Sequence, residues 1–297
     1  MLRDTILDIG KGRATIKADV NLKSQDWQGV VNTSAIALTP FLSQLAIEGV
    51  DLTRPIVLQN SDIALSGKLN DFAPETIQGK VNLDLDVDGS NVALQSQLAS
   101  GDVKAVASTG AIAINNFLPT LPLPVTLSSS EMRIVSKVKP LLNLGNSFDF
   151  SSVISEFDAD VIVADGLVKV KGSTANNLWQ ADIKGNEINT KELANTFAPD
   201  LPQDISLDRL DTQANLSGSL APLQNKEVLF PIDINNAVVQ MGTQSMSSKG
   251  KVLISNLLNS LDIDLVDLAV NSNLDVDSLP IEEFVVTATQ NLSLIHI

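Results

Sequence analysis

Three aspartates and a glycine come closest to a chemical motif in this chain. Asp84, Asp86, Asp88 and Gly89 place oxygens at alternate positions ahead of a glycine, as the opening of a calcium-binding loop does. The twelfth position of such a loop needs a bidentate glutamate, and here it is Gln95. Leu83, Leu85 and Val87 alternate with the aspartates, so the run reads as the wet face of a strand. Ser128–Ser130 offers hydroxyls with no histidine or nearby lysine to act as base. Gly10, Lys11 and Gly12 lack the spacing of a phosphate-cradling loop. Nothing separates Glu282 and Glu283, a pair capable of acid–base chemistry, from ordinary surface charge. No catalytic residue, metal site or cofactor is expected, and the chain does not read as an enzyme.

Composition narrows the classes further. The chain has no cysteine, which removes disulfides, thiol catalysis and thiolate metal sites together. A formal charge of −15 gives no support to phosphate-backbone binding, so nucleic acid is excluded as a partner. Hydrophobic residues make up 44% but aromatics only 4%, so the apolar content is Leu, Ile, Val and Ala. That mixture favours smooth β-surfaces over a core built on large rings. No transmembrane segment is expected: the longest charge-free run, 105–130, carries Asn115, Asn116, Pro119, Pro122 and Pro124. No signal peptide is expected at Met1 either, because no apolar stretch follows a basic start.

The elements that position these residues recur. Trp27, Val103 and Trp179 stand 76 residues apart, and Ile36, Ile112 and Ile188 follow them in step. Phe41, Phe117 and Leu193 also coincide, as do Ile16, Val92 and Val168 upstream. A period this regular marks an array in which each unit completes its neighbour's core. The expected organisation is one continuous array over 1–291, with units 10–85, 86–161, 162–245 and a degenerate 246–291. The last six residues, Leu292–Ile297, match the translation of a sequencing-library adaptor and read as foreign to an incomplete gene fragment.

Within each unit strict alternation dominates. Val81, Leu83, Leu85 and Val87 point one way while Asn82, Asp84, Asp86 and Asp88 point the other. Val92 and Leu94, Ile112 and Ile114, Val161 and Val163, Val168 and Val170, Ile232 and Ile234, and Leu274 and Val276 repeat the pattern. Asp88-Gly89, Ser100-Gly101, Asp165-Gly166, Asn176-Asn177 and Met241-Gly242 are the expected turns. Pro40–Leu45, Asn116–Leu121 and Lys191–Phe197 lose the alternation and read as short helical corners. A second motif follows each corner at variable distance: Leu65–Leu69, Ile134–Val138 and Leu216–Leu220. The stretch 140–157 reads as an insertion with one short amphipathic helix. The fold class is therefore all-β: an elongated, curled antiparallel sheet, apolar on one side.

Leu65–Gly79, with Trp27–Val31 and Trp179–Ile183, resembles the repeats of TamB-type proteins, particularly cyanobacterial members and their chloroplast inner-envelope relatives. The likeness covers roughly 10–280 and implies a β-taco of the AsmA-like superfamily, in a periplasmic, inner-membrane-anchored protein that bridges two membranes. It implies phospholipid acyl chains as cargo and an outer-membrane β-barrel as assembly partner, reached through other parts of the parent protein. The chain departs from the family in having Val103 where the other units have Trp, and it shows neither the family's membrane anchor nor its partner-binding domain. On this reading Ile16, Val81, Leu83, Leu85, Val87, Val92, Leu94, Ile112, Ile114, Val161, Val163, Val168, Val170, Ile232 and Ile234 line a lipid groove. The competing reading is a tandem array of immunoglobulin-like sandwiches in a bacterial surface protein, since 76 residues with one Trp suits a sandwich. A β-helical hydrolase ranks third, because the repeats lack aromatics for sugar stacking.

Overall fold

The structure, a computed structural model, describes residues 4–45, 50–71, 73–139, 150–197, 209–224, 229–242, 244–255, 262–272 and 295–296. The expectations for Leu274 and Val276, for Glu282 and Glu283, for 140–149 and for most of 273–297 lie outside the described residues.

Seventeen strands form one sheet. The first six are β1 (Thr5–Ile9), β2 (Gly12–Asn21), β3 (Asp26–Ala37), β4 (Ile56–Lys68), β5 (Gln78–Val87) and β6 (Ser90–Ala99). Then come β7 (Asp102–Thr109), β8 (Ile112–Ala113), β9 (Val125–Lys137), β10 (Ile154–Val163), β11 (Gly166–Ala175) and β12 (Leu178–Ile188). The last are β13 (Leu210–Ser219), β14 (Leu229–Met241), β15 (Gln244–Ser255), β16 (Asp262–Ser272) and β17 (Ile295–His296). Every described pairing is antiparallel between chain neighbours, with β7 and β8 both against β9 as one bent strand. The sheet is an open, curled meander, as alternating strands joined by short turns must give.

Two-residue turns set most of the tight hairpins. Asp88 and Gly89, Ser100 and Gly101, and Asn176 and Asn177 all have positive φ, the geometry that matches strand twist across a two-residue loop. The turn expected at Asp165-Gly166 lies one residue earlier, on Ala164 and Asp165, with φ of 47° and 57°. Gly166 already belongs to β11, and a Cβ there would sit 2.6 Å from the Ile188 Cα. That glycine serves close strand approach rather than the turn. It faces a bulge at Glu187, whose positive φ recurs at Ala35, two periods upstream.

Corners close the same side of the sheet in each unit. Helix α1 (Thr39–Leu42) follows β3, a 3-10 turn at Ile114–Asn116 follows β8, and helix α2 (Thr190–Phe197) follows β12. The second corner begins two residues before its expected start at Asn116, so Ile114 stands in the turn and not on a strand. Its cause is Asn115, whose side chain donates to the Leu123 carbonyl and accepts from the Val125 N–H, folding the chain back into β9. The Asn116 amide reaches the Asp88 carboxylate at 2.6 Å, and the Asp51 N–H donates to the Phe117 carbonyl at 2.7 Å. Neighbouring units are thereby tied together at their corners.

The register explains the recurring Trp. Trp27 lies directly opposite Gly67 and Trp179 opposite Gly218, while Val103 faces Ser136. A Cβ on Gly67 would sit 2.9 Å from the Trp27 Nε1, and one on Gly218 would sit 2.6 Å from the Trp179 Nε1. The Leu-Ser-Gly motif therefore supplies the bare backbone on which the indole lies, and where the ring is reduced to Val the glycine becomes Ser. Val103→Trp alone is expected to destabilise by roughly 1–3 kcal/mol through overpacking. The double change with Ser136→Gly is expected to recover most of that loss, which a urea-denaturation cycle measures.

Pairing also corrects the alignment upstream of Trp27. Ile16 pairs with Val31, whereas Val92 pairs with Thr109 and Val168 with Gly185. Thr33, the counterpart of Thr109, pairs with Ala14. The β2–β3 loop consumes two more residues than the two-residue turn between β6 and β7, so Ala14 is the structural match of Val92. A two-residue slip keeps Ile16 on the same face.

Candidate functional site: an uncovered apolar face

One face of the sheet is apolar from end to end. Across it Ile63 meets Val81, Leu58 meets Leu85, Ile56 meets Val87, Leu83 meets Leu94 and Leu85 meets Val92. Further on, Ile112 meets Leu127, Val161 meets Val168, Val170 meets Ile183, and Leu216 meets Ile234. Val163 stands opposite Gly166, and Ile232 opposite Gly218. Of the fifteen groove residues expected from the sequence, all but Ile114 are on strands of this face.

All fifteen are half-buried, none fully covered. On β5, Asn82 and Asp86 of the opposite face are half-buried as well, while Lys80 and Asp84 there are exposed. A second layer packed on the apolar side would bury Val81, Leu83 and Leu85 and leave their polar neighbours wet. No such layer exists among the described residues, where all strands belong to one sheet. Ile36, Ile56, Leu123, Ala164 and Ile188 are buried where corners and turns fold in at one side, and Val138 and Leu220 at the other. Among described residues no large side chain falls below 2% exposure, while Met132, in the middle of the apolar face, is 40% exposed.

Hydroxyls on this face are paired with one another. Thr33 donates to Ser61 at 2.9 Å, Thr109 and Ser130 lie 3.0 Å apart, and Ser155 and Thr174 lie 2.8 Å apart. Thr212 donates to the Val238 carbonyl. Directly opposed Thr and Ser consume each other's polarity, leaving a surface with few groups seeking a partner. No signal in a single strand foretells these pairs, because the partner is fixed by the length of the intervening connection.

The other face carries the charge, arranged as cross-strand pairs. Asp26 and Lys68 are 2.6 Å apart, Asp102 and Lys137 2.5 Å, Asp158 and Lys171 2.7 Å, and Asp233 and Lys251 3.4 Å. Hydrogen bonding from Lys68 holds the Asp26 carboxyl below the usual aspartate range, and Asp158 raises the Lys171 ammonium above its own. These groups are about half exposed, so each pair adds little stability. Their value is register: opposite charges sit face to face only when the strands pair as observed.

The aspartate run belongs to this polar face. Asp84 is exposed on β5, the Asp86 carboxylate accepts from the Gly89 N–H at 2.9 Å, and Asp88 holds Asn116. Among the described residues no three His, Cys, Asp or Glu side chains gather at metal-binding distance. No helix among them is long and apolar enough to cross a membrane.

No protein-family profile, curated protein or solved structure matches this chain.

Proposed function

We propose that this chain is a conduit segment whose apolar face carries phospholipid acyl chains between membranes, as part of an envelope-spanning, periplasmic TamB-like protein. The observation that supports this reading is the half-exposed apolar face running without a covering layer across one sheet. Exposed apolar surface of that extent needs an apolar occupant. The strands side by side, with β7 and β8 sharing one place, give at about 4.8 Å each a stripe on the order of 75 Å, long enough for several acyl chains. Each buried methylene gains roughly 0.8 kcal/mol. A smooth Leu, Ile and Val surface whose hydroxyls are paired holds such chains without fixing one position, and a conduit requires that. Outer-membrane protein assembly through a β-barrel partner is the companion activity that the family resemblance brings, residing in the parent protein.

A row of closed immunoglobulin-like sandwiches is less compatible with one sheet passing unbroken through every unit. The test is fluorescence titration of the purified chain with cis-parinaric acid, which brightens in apolar surroundings. Saturable brightening with more than one probe per chain, reversed by added phospholipid, is expected. A flat titration contradicts the proposal.

A further inference from the structure

On the polar face one row of residues is apolar across four neighbouring strands. Val135 of β9 lies directly opposite Ile154 of β10, and Ala175 of β11 directly opposite Leu178 of β12. Ser155 pairs with Thr174, which places Ile154 beside Ala175 and joins the two pairs into one line. Val135 is 42% exposed, Ile154 54% and Leu178 59%, and Val106 (38%) sits diagonally beside Val135. Such a line on a face of charged pairs is a buried-type surface left in water.

The repeat shows that the fold does not demand it. One unit earlier the same register positions hold Ser66 opposite Gln78, then Ala99 opposite Asp102. The row, shared between the second and third units, replaces Ser, Gln and Asp with Val, Ile and Leu. At the head of the row stands Lys104, opposite Val135, with no ion pair among the described residues. In a chain of net charge −15, the apolar line thus begins at an uncompensated cation.

We infer that this row docks a helix of a partner protein, one with an apolar stripe and an acidic residue that meets Lys104. The row crosses the strands at right angles, so its side chains are spaced about 4.8 Å apart. Successive turns of a helix present side chains every 5.4 Å, a near match, whereas one face of an extended strand presents them about 6.8 Å apart. From Lys104 to Leu178 is four strand spacings, about 19 Å, which a helix of roughly 13 residues spans. The site lies on the side of the sheet opposite the proposed lipid surface and does not depend on it.

Two synthetic 14-residue helical peptides test the inference by fluorescence anisotropy against the whole chain. Both carry leucine at i, i+3, i+7 and i+10 on an otherwise uncharged Ala and Gln background; one has a single Glu at the end that meets Lys104, the other a single Lys there. The Glu peptide is expected to bind saturably and at least tenfold more tightly than the Lys peptide. Ile154→Asp with Leu178→Asp is expected to weaken it tenfold or more, Lys104→Glu to abolish the preference for Glu, and Gln78→Asp to change nothing. All these positions except Gln78 and Lys104 are strongly exposed apolar residues, and circular dichroism checks that each variant keeps its strands. Absence of saturable binding, equal binding of the two peptides, or binding indifferent to the paired substitution overturns the inference. So does docking of the same row onto phosphatidylcholine vesicles, which would make it a membrane contact.

Discussion

Alanine at position 79 is expected to lower the melting temperature by roughly 6–12 °C, the equivalent of about 3 kcal/mol. Gly79 opens β5 with φ of 148°, a conformation closed to side-chain-bearing residues. A Cβ there would lie 1.9 Å from the Ala64 carbonyl oxygen and 2.9 Å from the Leu65 Cα, both backbone atoms of β4. Neither gives way without separating the strands, so strain and overpacking add. A shift under about 2 °C, read by thermal circular dichroism, would show that the β4–β5 junction yields more easily than its geometry states. Gly89, with open space around its Cβ position, is the matched control, expected to cost only its turn conformation.

The second large effect separates an open face from a closed core. Leu83 and Leu94 are directly opposed and half-buried. Leu83→Asp with Leu94→Asp is expected to leave the chain folded while reducing cis-parinaric acid binding at least several-fold. On an uncovered face the new carboxylates reach water, so the folding cost stays modest. In a sealed sandwich each would be an unpaired buried charge costing several kcal/mol, and the pair would prevent folding. Loss of the far-ultraviolet β signal on making the double variant therefore contradicts the open face. Retained fold with undiminished probe binding would place the probe elsewhere.

Much of this architecture is readable in the sequence because its elements are local. The alternation through Val81–Val87 needs no knowledge of neighbours, and Asp88-Gly89 or Asn176-Asn177 identify their own turns. Period-two patterning also assigns the correct face to Val92, Val161 and Val168, since a strand's two faces are set by parity alone. Sequence reading fails where one residue's role depends on another strand. Gly166 resembles a turn glycine but answers to Ile188, across β11 and β12. Aligning Ile16 with Val92 ignores a loop two residues longer, which only the pairing reveals. Ile114 continues a strand pattern on paper, yet Asn115 turns the chain there through its own side-chain bonds.

The Trp–Gly pairs teach the same lesson from the other side. Both motifs are visible, Trp27-Gln28 and Leu65-Ser66-Gly67, as separate recurring elements. That one is the seat of the other follows only from the register of β3 with β4 and of β12 with β13. The signal is nonetheless present: where Trp becomes Val103, the third residue of the second motif becomes Ser136. The apolar row on the polar face is invisible for the same reason, since Val135, Ile154 and Leu178 are far apart in the chain and adjoin only across strands.

The most direct test of an open, lipid-bearing face is site-specific photo-crosslinking of this protein in cells. One variant carries the photoreactive residue at Leu85, on the apolar face, and another at Asp86, its neighbour on the polar face. Adducts are read by mass spectrometry of the purified protein. Phospholipid captured at position 85 and not at position 86 is the expected result. Equal labelling, or none at position 85 while the protein is present and folded, would contradict the account.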